Sequence, residues 1–350
     1  MARVAIAGAG VVGASIAYHL ALAGADGIVL ADTGTVASGA TGKALGGVRQ
    51  QFSSAPEVLL ARESVAFFRS LGPPLFDPVG YLFLATTEAG RVDLEERRDT
   101  QRALGVPVEP VDPSFVPGLE VGDVLGASYC AEDGVADPAG VTRWLVRRAV
   151  ELGVELREFE DGRSVEAETL VLAAGANSAT IAVAFDIELP VRPLVRQLSE
   201  TAPIRGLQRP LPLTIESEST FHFRRRGEAL VLAMAEPEPR WGFDALVDDS
   251  LVAEWRSRLA RRYPSAAAVP VARTWAGLYD MTPDAHPIIG PVGAGLYVAC
   301  GFSGHGFMQA PAVGRIVADE LLGIDPGFDL SPYRLERFAG GAVFPETAIL

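Results

Sequence analysis

Two rhythms of apolar and polar residues run along this chain. One is the unbroken apolar run. Residues 4–7 and 28–30 are wholly apolar and read as strands buried on both faces. Between them lie three spaced glycines, Gly8, Gly10 and Gly13, and a helical stretch over about 12–23. The second run ends in Asp32. Strand, glycine turn, helix, strand and acid, in that order, predict a βαβ unit in a parallel sheet. A membrane helix over 4–25, which carries no Asp, Glu, Lys or Arg, is the competing reading. The three glycines and the Tyr18-His19 pair argue against it.

The same texture returns further on. Residues 138–152 predict an amphipathic helix, with Val141, Leu145, Val146 and Ala149 on one face and arginines on the other. A strand over 154–158, a tight turn at 160–162 and a buried run over 169–174, closed by Gly175, follow. Near the C-terminus, 295–299 reads as a strand, 301–306 as a glycine-rich turn and 309–322 as a helix capped by Gly323.

The second rhythm is short and β-rich. Residues 78–87, 191–198, 220–224 and 229–234 carry alternating, β-branched or aromatic residues, as antiparallel strands do. A helix is predicted over 249–262. Pro-rich turns fall near 73–78, 107–117 and 203–212, and no fixed repeat is visible. The fold class predicted is α/β: a Rossmann-like, glutathione-reductase-like nucleotide domain, with a discontinuous second domain built on an antiparallel sheet with helices. The first is expected over 1–72, 135–185 and 270–340, the second over 73–134 and 186–269, with a tail at 341–350.

Composition narrows the function. Among 350 residues, 30 basic and 44 acidic side chains give a net charge of −14, and no basic stripe suits nucleic acid. Arg224-Arg225-Arg226 and Arg261-Arg262 read as solvated faces or turn residues. Cys130 and Cys300 lack metal or CxxC spacing and predict reduced thiols in a cytoplasmic protein. The histidines at 19, 222, 286 and 305 form no ligand pair, so no metal is expected. Only Arg3 precedes the first apolar run, so a secretory signal is not expected either.

The glycines have physical jobs. Gly8 permits the turn, Gly10 lets backbone approach a pyrophosphate, and Gly13 lets the helix pack on the strand. The helix N-terminus offers N–H groups and a positive dipole end, and Asp32 can accept from a ribose. Three further pieces join this unit. They are Ser38-Gly39-Ala40-Thr41-Gly42 with Gly46-Gly47-Val48-Arg49-Gln50-Gln51-Phe52; Leu170-Val171-Leu172-Ala173-Ala174-Gly175-Ala176; and Tyr279-x-Met281-Thr282-Pro283-Asp284 with Pro287-Ile288-Ile289-Gly290 and Gly301-Phe302-Ser303-Gly304-His305-Gly306. Together they resemble the FAD-dependent D-amino acid oxidase superfamily over about residues 2–335, and within it the sarcosine oxidase β-subunit and proline dehydrogenase β-subunit group.

The resemblance implies FAD, contacted by Gly8, Gly10, Val11, Val12, Gly13, Asp32, Thr33, Ser38, Ala40, Thr41, Gly42, Gly46, Gly47, Val48, Ala173, Ala174, Gly175, Gly277, Gly301, Ser303, Gly304, His305, Gly306, Phe307 and Met308. It also implies a small amine or amino-acid substrate that gives hydride to flavin N5, leaving an imine that hydrolyses. Four residues are catalytic candidates. Arg49 offers a fork for a carboxylate or pairs structurally. Tyr279 hydrogen-bonds substrate or simply packs. His222 faces opposite Phe221 and Phe223, with a solvent-facing reading slightly favoured. His305 is read as a loop and flavin-packing residue rather than a base.

Departures from the family matter. Met308 stands where monomeric sarcosine oxidases have a carboxylate-binding lysine, and Tyr279 where glycine and D-amino acid oxidases have an arginine. Gly277 and Lys43 occupy the positions of the flavin-linking cysteine and histidine, so non-covalent FAD is expected. No lysine lies at 230–232, which favours a dehydrogenase passing electrons to a protein partner or quinone over an oxidase. The 158–166 segment lacks the family's hairpin, so looser FAD retention is expected. The alternative function is a flavin-binding subunit with an assembly or electron-relay role. A nicotinamide-dependent reductase would leave the 282–284 and 301–306 elements unexplained.

Overall fold

A computed structural model describes residues 1–340. The tail assigned to 341–350 lies outside the described residues. The chain opens with β1 (Ala2–Ala7), α1 (Val11–Leu22), β2 (Ile28–Asp32), a short α2 (Ala40–Lys43), β3 (Gly47–Val48) and α3 (Ala55–Leu71). A first excursion follows: β4 (Phe76–Asp77), β5 (Tyr81–Ala85), α4 (Glu88–Ala103), β6 (Val108–Pro110) and β7 (Gly126–Cys130). It returns through β8 (Gly134–Ala136), α5 (Pro138–Glu151), β9 (Glu155–Glu158), β10 (Ala167–Leu172) and α6 (Ser178–Ala182). A second excursion holds β11 (Arg192–Thr201), β12 (Leu213–Glu216), β13 (His222–Arg226), β14 (Ala229–Ala233), α7 (Asp249–Arg262) and β15 (Val271–Met281). The chain ends with β16 (Ile288–Gly293), β17 (Leu296–Cys300) and α8 (Gly306–Leu321).

Three sheets result. The first has the order β16-β17-β10-β1-β2-β9 and is parallel except for the edge strand β16. Strand β1 is central, which is why residues 5–7 are apolar without alternation. Helix α1 has no polar face. It packs between the sheet and α8, and a methyl group on Gly314 would collide with Ser15. The C-terminal helix thus seats directly on the first one.

The second sheet has the order β15-β11-β14-β13-β12-β5-β7-β6. It is antiparallel except where β5 meets β12 in parallel, which is where the two excursions join. Its period-two pattern sorts residues onto two faces. Leu82, Leu84, Phe221, Phe223, Leu230 and Leu232 form one core with Trp255 and Leu259 of α7. The opposite face carries Tyr81, Phe83, Leu213, Ile215 and His222. A small third sheet, β3-β8-β4, lies where the first excursion leaves and re-enters.

Helix α8 starts at Gly306, three residues before the predicted start, because the glycine turn closes early. Strand β11 runs to Thr201, held by its long pairing with β15. The two thiols are free and buried.

Candidate active site

The first glycine turn is built from backbone. Gly8 has φ +117°, and a methyl group there would collide with the Ala173 carbonyl. A methyl on Gly13 would collide with the Gly8 carbonyl. Over Gly10 the space is open: a methyl would meet only Thr41 Oγ1, at 3.3 Å. Helix α1 has no side-chain cap and no acid in its first turn. Val11 N–H donates to Thr41 Oγ1 at 3.1 Å. Asp32 accepts from Ala9 N–H and Gly34 N–H, each at 2.7 Å, and a carboxylate keeps lone pairs for further donors.

Thr33, Ser38 and Ala40 are exposed beside that carboxylate, and Val12 opens the helix next to Val11. Ala173, Ala174 and Gly175 follow β10, with Ala173 N–H donating to Ala7 O at 2.9 Å. An open approach over glycine, a helix N-terminus free of acidic residues and an acid at the second strand end suit the adenosine diphosphate half of FAD. The short 158–166 segment folds back here. Glu160 N–H donates to Asp32 O at 2.9 Å, and a methyl on Gly162 would lie 2.7 Å from the Ala7 methyl.

The last glycine turn follows β17, which runs parallel to β10 and so to β1, and it opens at the same carboxy-terminal edge of the sheet as the first. Gly301, Ser303 and Gly304 all have positive φ. Gly301 N–H donates to Asp280 at 2.7 Å, and Thr282 N–H donates to Ser303 Oγ at 3.1 Å. Burial lifts Asp280 to about 6, opposed by backbone donors of the turn. Helix α8 begins at Gly306 with no side-chain cap, so its positive end is open toward a ligand. Phe307 and Met308 turn inward and are buried.

Arg49 is fully buried beneath this turn. It donates to the Gln51 carbonyl, and its guanidinium lies 4.1 Å from the Phe52 ring centre. Phe52 in turn meets the His305 ring edge-on at 5.0 Å. Gly46 and Gly47 precede this segment; a methyl on Gly47 would collide with the Tyr81 hydroxyl. Asp133 anchors the strip. It accepts from Gln50 N–H at 3.0 Å and from the Gln50 and Gln51 amides at 3.1 Å. Burial pushes Asp133 up to about 6, partly offset by those donors.

The substrate-facing surface of the second sheet completes the site. Arg196 pairs with Gly277 and Leu194 with Tyr279, so Arg196 and Tyr279 project from one face. The Arg196 guanidinium lies 5.8 Å from the Tyr279 ring centre. A methyl on Gly304 would collide with Tyr279, which fixes that ring against the last turn. Gly277 sits over Lys43, where a methyl would lie 3.2 Å from the lysine Cβ. The two family attachment positions are thus adjacent, and neither carries cysteine or histidine.

His222 corrects an expectation. It faces opposite Phe221 and Phe223, but it is buried, with only 6% of its surface exposed, not solvated. Its neighbours explain this: Ile215 and Ala233 flank it on the adjoining strands, and Arg49 and Arg196 lie close by. Its Nδ1 lies 2.7 Å from the Thr220 carbonyl, which places the proton on Nδ1 and leaves Nε2 as an acceptor. Burial, with Arg49 and Arg196 nearby, lowers its pKa to about 4.

The arginine patches are a second correction. Arg224 is buried on the same face as His222, and burial, then Arg226, bring its pKa down to about 10. Arg262 is buried in ion pairs with Glu216 at 2.9 Å and Asp123 at 2.7 Å. Strand alternation and helix packing draw one arginine of each run inward. Arg196, Arg224, Tyr81 and Asp133 were missed as site residues. The signal for Arg224 was present: it stands two residues from His222 on one strand.

Comparison with known proteins identifies the family. The DAO family, described as FAD dependent oxidoreductase, matches residues 3–320. FAD-dependent oxidoreductase domain-containing protein 1 of Bos taurus is 31% identical, over 99% of this chain and 87% of that protein. Glycine oxidase of Geobacillus kaustophilus is 28% identical, over 96% of this chain and 97% of its own. The solved structure of L-proline dehydrogenase from P. horikoshii superposes with a TM-score of 0.90 at 26% identity, over 98% of this chain and 99% of that one. The chain belongs to the DAO family of FAD-dependent oxidoreductases. It is an enzyme of the amino-acid and amine oxidase type, with FAD as cofactor. Among the described residues, no helix is long and apolar enough to cross a membrane, and no acidic, histidine or cysteine cluster suits a metal.

Proposed function

We propose that the enzyme oxidises a secondary amine or amino acid, an N-methyl amino acid or a proline-like compound, at the carbon beside nitrogen. The observation that carries this is the meeting of Arg49, Arg196, Tyr279 and neutral His222 across one cleft, beside the open N-terminus of α8. Bound FAD supplies the two-electron acceptor. Gly8, Gly10, Gly13, Asp32 and the last glycine turn would hold it, non-covalently.

The chain's own residues prepare the substrate. Arg196 and Arg49 attract its carboxylate, and the Tyr279 hydroxyl is an additional donor. The same cations disfavour an ammonium group, so the amine enters as the free base that hydride loss requires. His222 Nε2, held neutral, accepts a hydrogen bond from that amine without adding charge. Similarity to an L-proline dehydrogenase and a glycine oxidase supports an amino acid as the substrate class. Strand β14, with sequence ALVLA, offers no lysine, which supports a protein or quinone acceptor over oxygen.

Anaerobic mixing of the yellow protein with N-methylglycine, N-methylalanine, proline and glycine tests this. Bleaching by the secondary amino acids supports the assignment. Bleaching by none of the four contradicts it.

A further inference from the structure

Arg224 and Arg196 stand on one face of the second sheet. Arg224 lies opposite Val231, Val231 opposite Glu200, and Arg196 four residues along β11 from Glu200. Two strand spacings across and four residues along put their Cα atoms about 16 Å apart. The Arg196 guanidinium lies 5.8 Å from the Tyr279 ring centre, and that of Arg224 lies against the Arg225 carbonyl. These cations are therefore two posts of one cleft rather than a single clamp.

Among the described residues, neither post has an ion-pair partner. Arg196 Nε and Nη1 are shielded from water and have no hydrogen-bond partner among the described residues. Arg224 is 6% exposed, and its Nε is likewise without a partner. Among the described residues, it donates to the Arg225 carbonyl at 3.4 Å. The nearest acid in its row, Glu200, is engaged by Arg226 at 3.1 Å and Arg273 at 2.6 Å. Asp137 and Glu200 act on Arg224 only as weaker, longer-range charges. Burying an unpaired guanidinium is costly, and a site that does so is built for an anion. His222, between the posts and neutral, adds no competing charge.

We propose that the substrate carries two carboxylates: one beside the reacting carbon, held at Arg196 and Tyr279, and a distal one held at Arg224. The class is an N-substituted acidic amino acid. This rests on the amine-oxidising reading above, and the test separates the two.

Holoenzyme is reduced anaerobically with N-methylglutamate and with N-methylnorvaline, which has a similar length without the distal carboxylate. Glutarate and butyrate are titrated in parallel by calorimetry and flavin absorbance. The diacid is expected to win by at least about tenfold in each pair, the worth of a charge-assisted hydrogen bond. In Arg224→Met the diacid-to-monoacid ratio collapses toward one, and in Arg224→Lys part of it survives. Equal rates and affinities for diacid and monoacid, or a preference that persists in Arg224→Met, overturn the two-post assignment alone. A yellow holoenzyme that no amine reduces overturns the amine-oxidising reading instead.

Discussion

The two ends of this site are built in opposite ways. The dinucleotide end consists of backbone: Gly8, Gly10 and Gly13 lie within six residues, and their spacing alone dictates what approaches. The substrate end consists of side chains from distant segments. Arg49 follows β3, His222 and Arg224 come from β13, Arg196 from β11 and Tyr279 from β15. A backbone site tolerates almost no substitution and is shared across chemistries. A side-chain site can be exchanged one residue at a time, so it carries substrate choice.

This contrast is sharpened first by a buried polar knot beside the last glycine turn. Glu57 lies 2.7 Å from His286 Nδ1 and accepts from the Tyr333 hydroxyl at 3.0 Å and from Gln309. It ties α3 to α8 and to the chain's last described turns. Glu57→Ala is expected to destabilise the fold by about 3–5 kcal/mol, the usual loss when one member of a buried pair is removed. Urea unfolding would read it, and a shift under 1 kcal/mol, on the scale of an exposed pair, would show that the knot is dispensable.

Gly13→Ala comes next. The added methyl meets the Gly8 carbonyl with no room to yield, costing about 1–3 kcal/mol of strain and displacing the pyrophosphate turn. Purified protein should carry little flavin. Full flavin content in this variant would mean that the turn is not the cofactor's seat.

Arg49→Lys probes the other end. It removes the planar fork while keeping charge, and kcat/KM for an amino acid should fall by an amount equivalent to about 1.5–3 kcal/mol. The corresponding amine without a carboxylate should lose far less. Equal losses would return Arg49 to a purely structural role, as its bond to the Gln51 carbonyl allows.

The smallest effect is a titration. The folded pKa of His222, about 4, lies below its ordinary value of 6.5. Its contribution to stability is therefore complete above that value and is lost as pH falls through it toward 4. By about pH 5.5 the loss is roughly 1 kcal/mol. Asp133 and Asp280, both raised to about 6, work in the opposite direction, losing stability as pH rises toward 6. The difference between the wild type and His222→Gln isolates the histidine. A flat difference between about pH 7 and 5 would mean that His222 is not held neutral.

Most of the fold was legible, because buried parallel strands and glycine turns are written in local sequence. Helices at 138–152 and 249–262 were read within a residue of Pro138–Glu151 and Asp249–Arg262. The parallel join of β5 and β12 was not legible, since the paired Phe83 and Ile215 stand 132 positions apart and nothing local marks that register; the pairing emerges only when both excursions share a sheet. On the candidate substrate face, His222 and Tyr279 stood out as candidates, though His222 was expected to face solvent, and Arg196 did not stand out. An arginine on a strand betrays its function only when its missing partner is known. Arg224 was hidden by its neighbours: three consecutive arginines look solvated until alternation turns one of them inward.

The most direct test of the account is anaerobic reduction of flavin-loaded protein by matched pairs, an amino acid and its decarboxylated amine, followed by absorbance. Reduction by the amino acids, at least about tenfold faster than by their amines, is predicted from the arginine-lined cleft. Equal reduction by both, or a protein that neither carries nor takes up FAD, would contradict it.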